Sequence, residues 1–348
     1  MTSAVVSASS LDLDRVGAYL QSHVEGFSGL RKAERLLGGQ SNPIWLLTAD
    51  SGRYVMRTQP AGQLLKSAHA LDREFRILST LEGTGVPVPR ARLICDDLDV
   101  IGVQFYLMDY IDGEVHRNIT LPNVPRDRRA AVYEAALGVL VAIHRTDLDR
   151  LKLRDFGRSG NYFERQLHRW SRQYRTAMPD GLPEMEGLIL RLQGSMPREE
   201  GPVVLLHGDC RLDNLMFERG TDRVVAVLDW ELSTLGHPLA DLGQFLGVQE
   251  LAPDYLLPGL AGVDRAALGI PSQREMASNY LRKMSLPQDI DLRFYKGFAM
   301  FRQAAMSAGL LRRALDGTAV AEISLSFGRT TDVMARIGLE ILDSPEPD

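Results

Sequence analysis

His207-Gly208-Asp209-Cys210-Arg211-Leu212-Asp213-Asn214 is the segment whose residue types and spacing are best suited to chemistry. Asn214 follows Asp209 in the same short segment, and a second Asp, Asp229, closes the apolar run Val224 to Leu228. That order suits phosphoryl transfer, which needs one carboxylate to take a hydroxyl proton and oxygen ligands for magnesium. Val203 to Leu206 gives a buried approach, and Gly208 permits a tight turn, so Asp209 falls on a loop. Apolar runs at Leu215 to Phe217 and Val224 to Leu228 flank the turn Glu218 to Arg223. Antiparallel pairing about that turn brings Asn214 roughly opposite Asp229. Magnesium takes few protein oxygens and completes its shell with water and phosphate, so two such side chains suffice.

The elements that must position these residues change character along the chain. Leu11 to His23 reads as a short helix. Arg35 to Gly38, Ile44 to Ala49 and Arg53 to Thr58 read as strands, separated by the turns Gly38 to Pro43 and Asp50 to Gly52. Gln63 to Leu81 reads as a helix, since Leu64, Ala68, Leu71, Phe75 and Leu78 recur at helical spacing. Ala91 to Cys95 and Val103 to Tyr110 read as two further strands. Beyond the turn Ile111-Asp112-Gly113 the chain is mostly helical, over Arg126 to Arg145, Tyr162 to Ala177, Met185 to Gln193, Gln273 to Met284, Leu292 to Leu315 and Ala319 to Leu342. The exception is the strand pair around Asn214 and Asp229. The expected fold is therefore α+β and bilobal, with a small antiparallel-sheet lobe over residues 1–111 and a larger, mainly helical lobe over residues 112–348. Small-molecule sites favour such a junction.

Composition excludes several classes. At 348 residues and 45% hydrophobic content the chain can bury a substantial core, and a net charge of −5 gives no basic balance for nucleic acid. Two cysteines far apart, Cys95 and Cys210, are neither a disulfide framework nor a zinc site. Residues Met1 to Ser10 lack the basic start and apolar run of a signal peptide, and no apolar run is long enough to span a membrane. A cytoplasmic monomer or homodimer acting on small molecules, without nucleic-acid or membrane partners, is expected.

His207-Gly208-Asp209 with Asn214, followed by Leu228-Asp229-Trp230-Glu231, resembles the aminoglycoside phosphotransferase and choline-kinase-like superfamily of protein-kinase-like fold, from about Arg35 to the C-terminal helices. The resemblance implies an ATP- and magnesium-dependent kinase in which Asp209 is the catalytic base and Asn214 and Asp229 bind Mg2+. It implies that His207 supports the catalytic loop and that Asp241 braces it through backbone N–H groups. The family commonly reads Asp-Pro-x-x-Asp-Leu where this chain has His237-Pro238-Leu239-Ala240-Asp241-Leu242, so His237 stands in place of an Asp. Glu231 reads as an acid behind the metal site or as an exposed residue. On the nucleotide side, Gly38-Gly39-Gln40-Ser41-Asn42 offers backbone N–H groups and the side chains of Ser41 and Asn42 to phosphate. Val55 and Arg57 share one face of a strand. Arg57 stands where the family usually has Lys, with Glu74 as its ion-pair partner, and backbone groups near Asp109 to Ile111 would read the adenine edge.

The acceptor is suggested by Tyr162 to Ala177, where Arg165, Arg169 and Arg172 fall on one basic face. Polycationic aminoglycosides want an acidic cleft, whereas a basic face suits an anionic or coenzyme A-linked hydroxylated substrate. Asn161-Tyr162-Phe163-Glu164-Arg165-Gln166-Leu167 and Gly38 to Pro43 also resemble the kinase-like domain fused to some acyl-CoA dehydrogenases. That resemblance implies phosphorylation of a 4-hydroxy acid or its CoA ester. The sequence contains no dehydrogenase portion, so flavin chemistry is not expected of it. An antibiotic kinase and a non-catalytic kinase-fold binding module are the competing readings. The intact Asp209, Asn214 and Asp229 weigh against the second.

Overall fold

The computed structural model describes residues 11–36, 42–60, 68–158, 160–198, 200–316 and 330–345. It has the protein-kinase-like α+β fold, an antiparallel sheet in the N-terminal region and helices in the C-terminal region. Two compact units result. One runs to Asp112 and takes in Val225–Glu231; the other comprises Gly113–Val224 and the chain from Leu232 onward. The segment that carries Asp229 thus belongs with the first unit, although Asp209 and Asn214 belong with the second.

The first unit is built on a sheet of β1 (Leu30–Leu36), β2 (Ile44–Ala49), β3 (Gly52–Thr58), β4 (Ala91–Cys95) and β5 (Phe105–Asp109), in the order β1-β2-β3-β5-β4. Every pairing is antiparallel. β1 begins at Leu30 rather than at the expected Arg35. Arg31 and Lys32 are exposed on this edge strand, so no apolar alternation marks its start, and charged residues are what an edge tolerates. One face of the sheet buries Leu47, Tyr54, Met56, Phe105 and Leu107 against Val16 and Leu20 of α1 (Leu13–His23). Asp12 caps that helix by accepting from the Arg15 N–H at 3.0 Å. α2 (Ala68–Leu81) buries Leu71, Ile77, Leu78 and Leu81. Residues 61–67, the first part of the helix expected from Gln63, lie outside the described residues. α3 (Leu98–Ile101) completes the unit.

The second unit holds β6 (Glu114–Val115), α4 (Arg129–His144), α5 (Tyr162–Ala177), α6 (Pro183–Gly194), β7 (Val204–Leu206), β8 (Leu215–Phe217), β10 (Thr234–Gly236), α7 (Leu239–Gly247), α8 (Arg265–Leu268), α9 (Gln273–Lys283), α10 (Arg293–Leu315) and α11 (Thr331–Asp343), with β9 (Val224–Val227) leading out of it. α10 is its axis. It packs against α5, α6, α7 and α11 and is buried nearly all round from Phe294 to Ala308, as a central helix must be. Residues 317–329, the expected start of the last helix, lie outside the described residues.

Two elements near the site, α7 and β10, are not legible as periodic patterns. All nine residues of α7 are buried, so the helix has no polar face to give a period. Two glycines inside it would ordinarily argue against a helix. They are there because α10 comes close: a methyl group on Gly243 would lie 2.4 Å from the Tyr295 carbonyl oxygen. No helix among the described residues is long and apolar enough to cross a membrane.

Gly243→Ala is expected to destabilise the protein by about 1–3 kcal/mol, because the clash outweighs the better helix propensity of Ala. Urea unfolding measures it, and an unchanged midpoint would show that α7 and α10 can separate without cost.

Candidate active site

The loop after β7 is held from beneath by one carboxylate. β7 pairs with β10, Leu206 opposite Thr234, which places His207 at the end of a buried strand. Gly208 then turns with φ 86°, and a side chain there would meet the Leu232 carbonyl oxygen at 2.3 Å. Asp241, on the first turn of α7, accepts the His207 N–H at 2.7 Å and the Gly208 N–H at 2.9 Å. His144 Nε2 lies 3.2 Å from the same carboxylate, and its Nδ1 is 2.5 Å from the Tyr280 hydroxyl. Burial alone would push the Asp241 carboxyl up. The His144 contact, the nearby His207 and the Gly208 N–H outweigh it and hold the group below its usual value. The His207 ring also serves the loop, accepting the Asp209 N–H on Nδ1 at 3.2 Å.

Asp209 projects from this braced turn with its side chain 15% exposed. Its Oδ1 accepts from Gln244 Nε2 at 3.0 Å and Gln303 Nε2 at 3.3 Å. Its Oδ2 accepts from Asn214 Nδ2 at 3.2 Å and has Arg211 Nη2 at 3.7 Å. Asn214 Nδ2 also donates to the Asp209 carbonyl at 2.8 Å. With that nitrogen committed, the amide oxygen of Asn214 is the atom left to meet a cation. Arg302 donates to the Gly208 carbonyl from α10. The Cys210 thiol is buried and pushed well up by that burial and by Asp241 and Asp209, which makes it packing rather than a nucleophile.

The first unit carries a separate charged cluster. Arg57, on β3, is ion-paired with Glu74 of α2, and its Nη1 is 3.6 Å from Asp229 Oδ1. Burial works against the Arg57 charge, but Glu74, Tyr106, Asp229 and Glu231 together hold it firmly protonated. Burial pushes the Glu74 carboxyl up, and Arg57 pulls it back. Asp229 adopts φ 63°, a left-handed conformation that Asp tolerates better than most residues, and its side chain is 42% exposed. It therefore presents an open carboxylate, an oxygen of the kind magnesium prefers. Glu231 is half-buried beside this cluster.

The remaining expected residues are placed as follows. Asn42 is buried just before β2, Val55 is half-buried on β3, and Ser41 lies outside the described residues. The Asp109 carboxylate is taken by Arg92 at 2.7 Å and 2.9 Å, and the Asp109 N–H donates to the Arg90 carbonyl. Ile111 is half-buried. On α5, Arg169 and Arg172 are exposed, and Arg165 donates to the Arg158 carbonyl at 2.7 Å. The opposite face of α5 buries Phe163 against Phe294, Tyr295 and Phe298. His237, in place of the family's Asp, accepts the Leu239 N–H on Nδ1 at 3.3 Å, so it serves the start of α7.

His144, Tyr280, Gln244, Arg302 and Gln303 escape a reading of the sequence because they come from four helices remote from the loop. Gln244 does leave a trace, as a polar residue between Leu242-Gly243 and Phe245-Leu246.

Residues 32–273 match the phosphotransferase enzyme family. The chain is 41% identical over 300 residues to mouse "Acyl-CoA dehydrogenase family member 10", covering 86% of this chain and 28% of that protein. The chain thus spans less than a third of the length of that relative. A Ralstonia eutropha JMP134 protein, provisionally described as an aminoglycoside phosphotransferase, superposes with a TM-score of 0.84 at 39% identity, over 96% of this chain and 98% of the other. The aminoglycoside phosphotransferase APH(4)-Ia, solved as a thermostable mutant with ADP and hygromycin B, shares the fold at a TM-score of 0.60 and 15% identity, over 93% of this chain and 98% of the other.

Asp241→Asn should cost about 3 kcal/mol at pH 7, since it leaves buried donors facing an amide. The contribution of a carboxylate whose native pKa is lowered is full above its ordinary value of about 4 and is lost as pH falls through the native value. Urea unfolding of both proteins should therefore show a gap that is wide at pH 7 and narrows below about pH 4. A gap independent of pH would contradict the role given to the Asp241 charge.

Proposed function

The chain belongs to the phosphotransferase enzyme family, and on that premise we propose that it transfers the γ-phosphoryl group of ATP to a hydroxyl of a small molecule, a 4-hydroxy acid or its coenzyme A ester. The observation that carries the reaction type is the carboxylate of Asp209, which stands on a braced turn and is steered by neutral amide donors. Such a group can take the hydroxyl proton as the acceptor oxygen bonds to the γ-phosphorus and the bond to the ADP oxygen breaks. Little covalent work falls to the protein in a loose phosphoryl-transfer transition state, so positioning and charge dominate. Arg57, kept cationic by Glu74, is the candidate grip on the nucleotide phosphates. Asn214 and Asp229 offer the oxygens that would hold magnesium, whose role when bound is to neutralise charge on the phosphates. Backbone groups from Asp109 to Ile111 are the candidate adenine-reading edge, and Asn42 with Ser41 and the face of Val55 complete the nucleotide side.

The hydroxyacyl acceptor is supported by the acyl-CoA dehydrogenase relative and by the exposed Arg169 and Arg172, which favour an anion over a polycation. An ATP-consumption screen over hydroxyacyl-CoAs, hydroxy acids, amino alcohols and aminoglycosides tests this directly. Turnover is expected with 4-hydroxy acids or their CoA esters; turnover confined to aminoglycosides would overturn the acceptor. In the same assay Arg57→Lys should retain much of the activity, while Arg57→Met should lose most of it through a raised KM for ATP. Full activity in Arg57→Met would remove Arg57 as the phosphate grip.

A further inference from the structure

We propose that Gln244 and Gln303 are the positioning residues of this reaction, fixing the rotation of the Asp209 carboxylate so that one oxygen stays aimed at the acceptor hydroxyl. The inference rests on the reading of Asp209 as the base. Its ground is a division of labour around one side chain. Asn214 and Arg211 lie on the same loop as Asp209, so they move with it. Gln244 and Gln303 come instead from α7 and α10, two helices locked together in the core, and both donate to the same oxygen, Oδ1. The terminal torsion of an Asp has a broad, shallow preference, so a loop alone does not fix which way the carboxylate faces. Two donors anchored outside the loop do.

Gln244 shows that this contact governs the local arrangement. Its side chain is fully buried, and its Oε1 has no hydrogen-bond partner among the described residues. A buried amide oxygen without a donor is unfavourable. The reverse orientation would be worse, because it would set that oxygen against the Asp209 carboxylate. The amide is thus held in the orientation that serves Asp209. Gln303 is 7% exposed and directly follows Arg302, whose guanidinium donates to the Gly208 carbonyl. Successive residues of α10 therefore hold the backbone of the turn and the side chain that projects from it. Both donors to Oδ1 are neutral amides, while the Arg211 guanidinium lies 3.7 Å from the other oxygen, Oδ2.

Gln244→Met and Gln303→Met keep the length of the side chain and remove the donor. The assay is ATP-dependent phosphorylation of a 4-hydroxyacyl-CoA, with each variant also made in an Asp209→Asn background. Each substitution should lower kcat about tenfold, a cost typical of a misaligned reacting group. KM for ATP and the melting temperature should stay near wild type. In the Asp209→Asn background the same substitutions should cost nothing further, because residues that act through one group are not additive. Undiminished kcat in both variants, or equal losses in both backgrounds, would overturn the proposal. Should the fully buried Gln244→Met fail to fold, Gln303→Met decides the matter by the same criteria. Phosphoryl transfer by Asp209→Asn at the wild-type rate would overturn the underlying reading instead, and the positioning role with it. That result is seen before any glutamine variant is compared.

Discussion

A single buried carboxylate, Asp241, determines the shape of the loop that carries Asp209. It gathers two consecutive backbone N–H groups, from His207 and Gly208, and the ring of His144. A charge this deep is tolerated only when its lone pairs are met, and here they are met by groups from the loop and from α4. Tyr280 of α9 sets the orientation of His144 in turn. Three helices thus converge on a turn whose glycine could not carry a side chain. The stability of the helical unit and the position of Asp209 are consequences of the same contacts.

The two units treat charge differently. Around Asp209 the partners are mostly amides, which orient a carboxylate while leaving it able to accept a proton. Around Arg57 the partners are acids, Glu74 and Asp229 directly and Glu231 nearby, which secure a cation against its own burial. The proton-acceptor role proposed for Asp209 and the phosphate-grip role proposed for Arg57 call for these opposite surroundings. Arg57 in place of Lys fits the second case, since a guanidinium stays charged when buried and an ammonium loses its proton more readily.

The candidate site residues are legible in the sequence because they are clustered. His207, Asp209 and Asn214 lie on one short segment, and Asp229 ends the next apolar run. Helix α5 is legible end to end, since one face is buried and the other is charged. What supports the site is hidden for physical reasons. Helix α7 is buried on every side and so has no period, and its glycines look like breakers until the backbone of α10 is seen against them. The partners that Asp209 and Asp241 draw from outside the loop come from α4, α7 and α10, with Tyr280 of α9 behind His144, and their meeting is a property of tertiary packing alone. The edge strand β1 is longer than its pattern suggests because its exposed arginine and lysine mask the alternation.

On the proposed function, Asp209 acts in the transfer step and not in holding the nucleotide. The most direct measurement compares wild type and Asp209→Asn for ATP–magnesium affinity by calorimetry and for single-turnover phosphoryl transfer to a 4-hydroxyacyl-CoA. Affinity should be unchanged within error while transfer slows by roughly 10²–10⁴-fold, the range expected for loss of a general base. Transfer at the wild-type rate, or a parallel loss of ATP affinity, would contradict it.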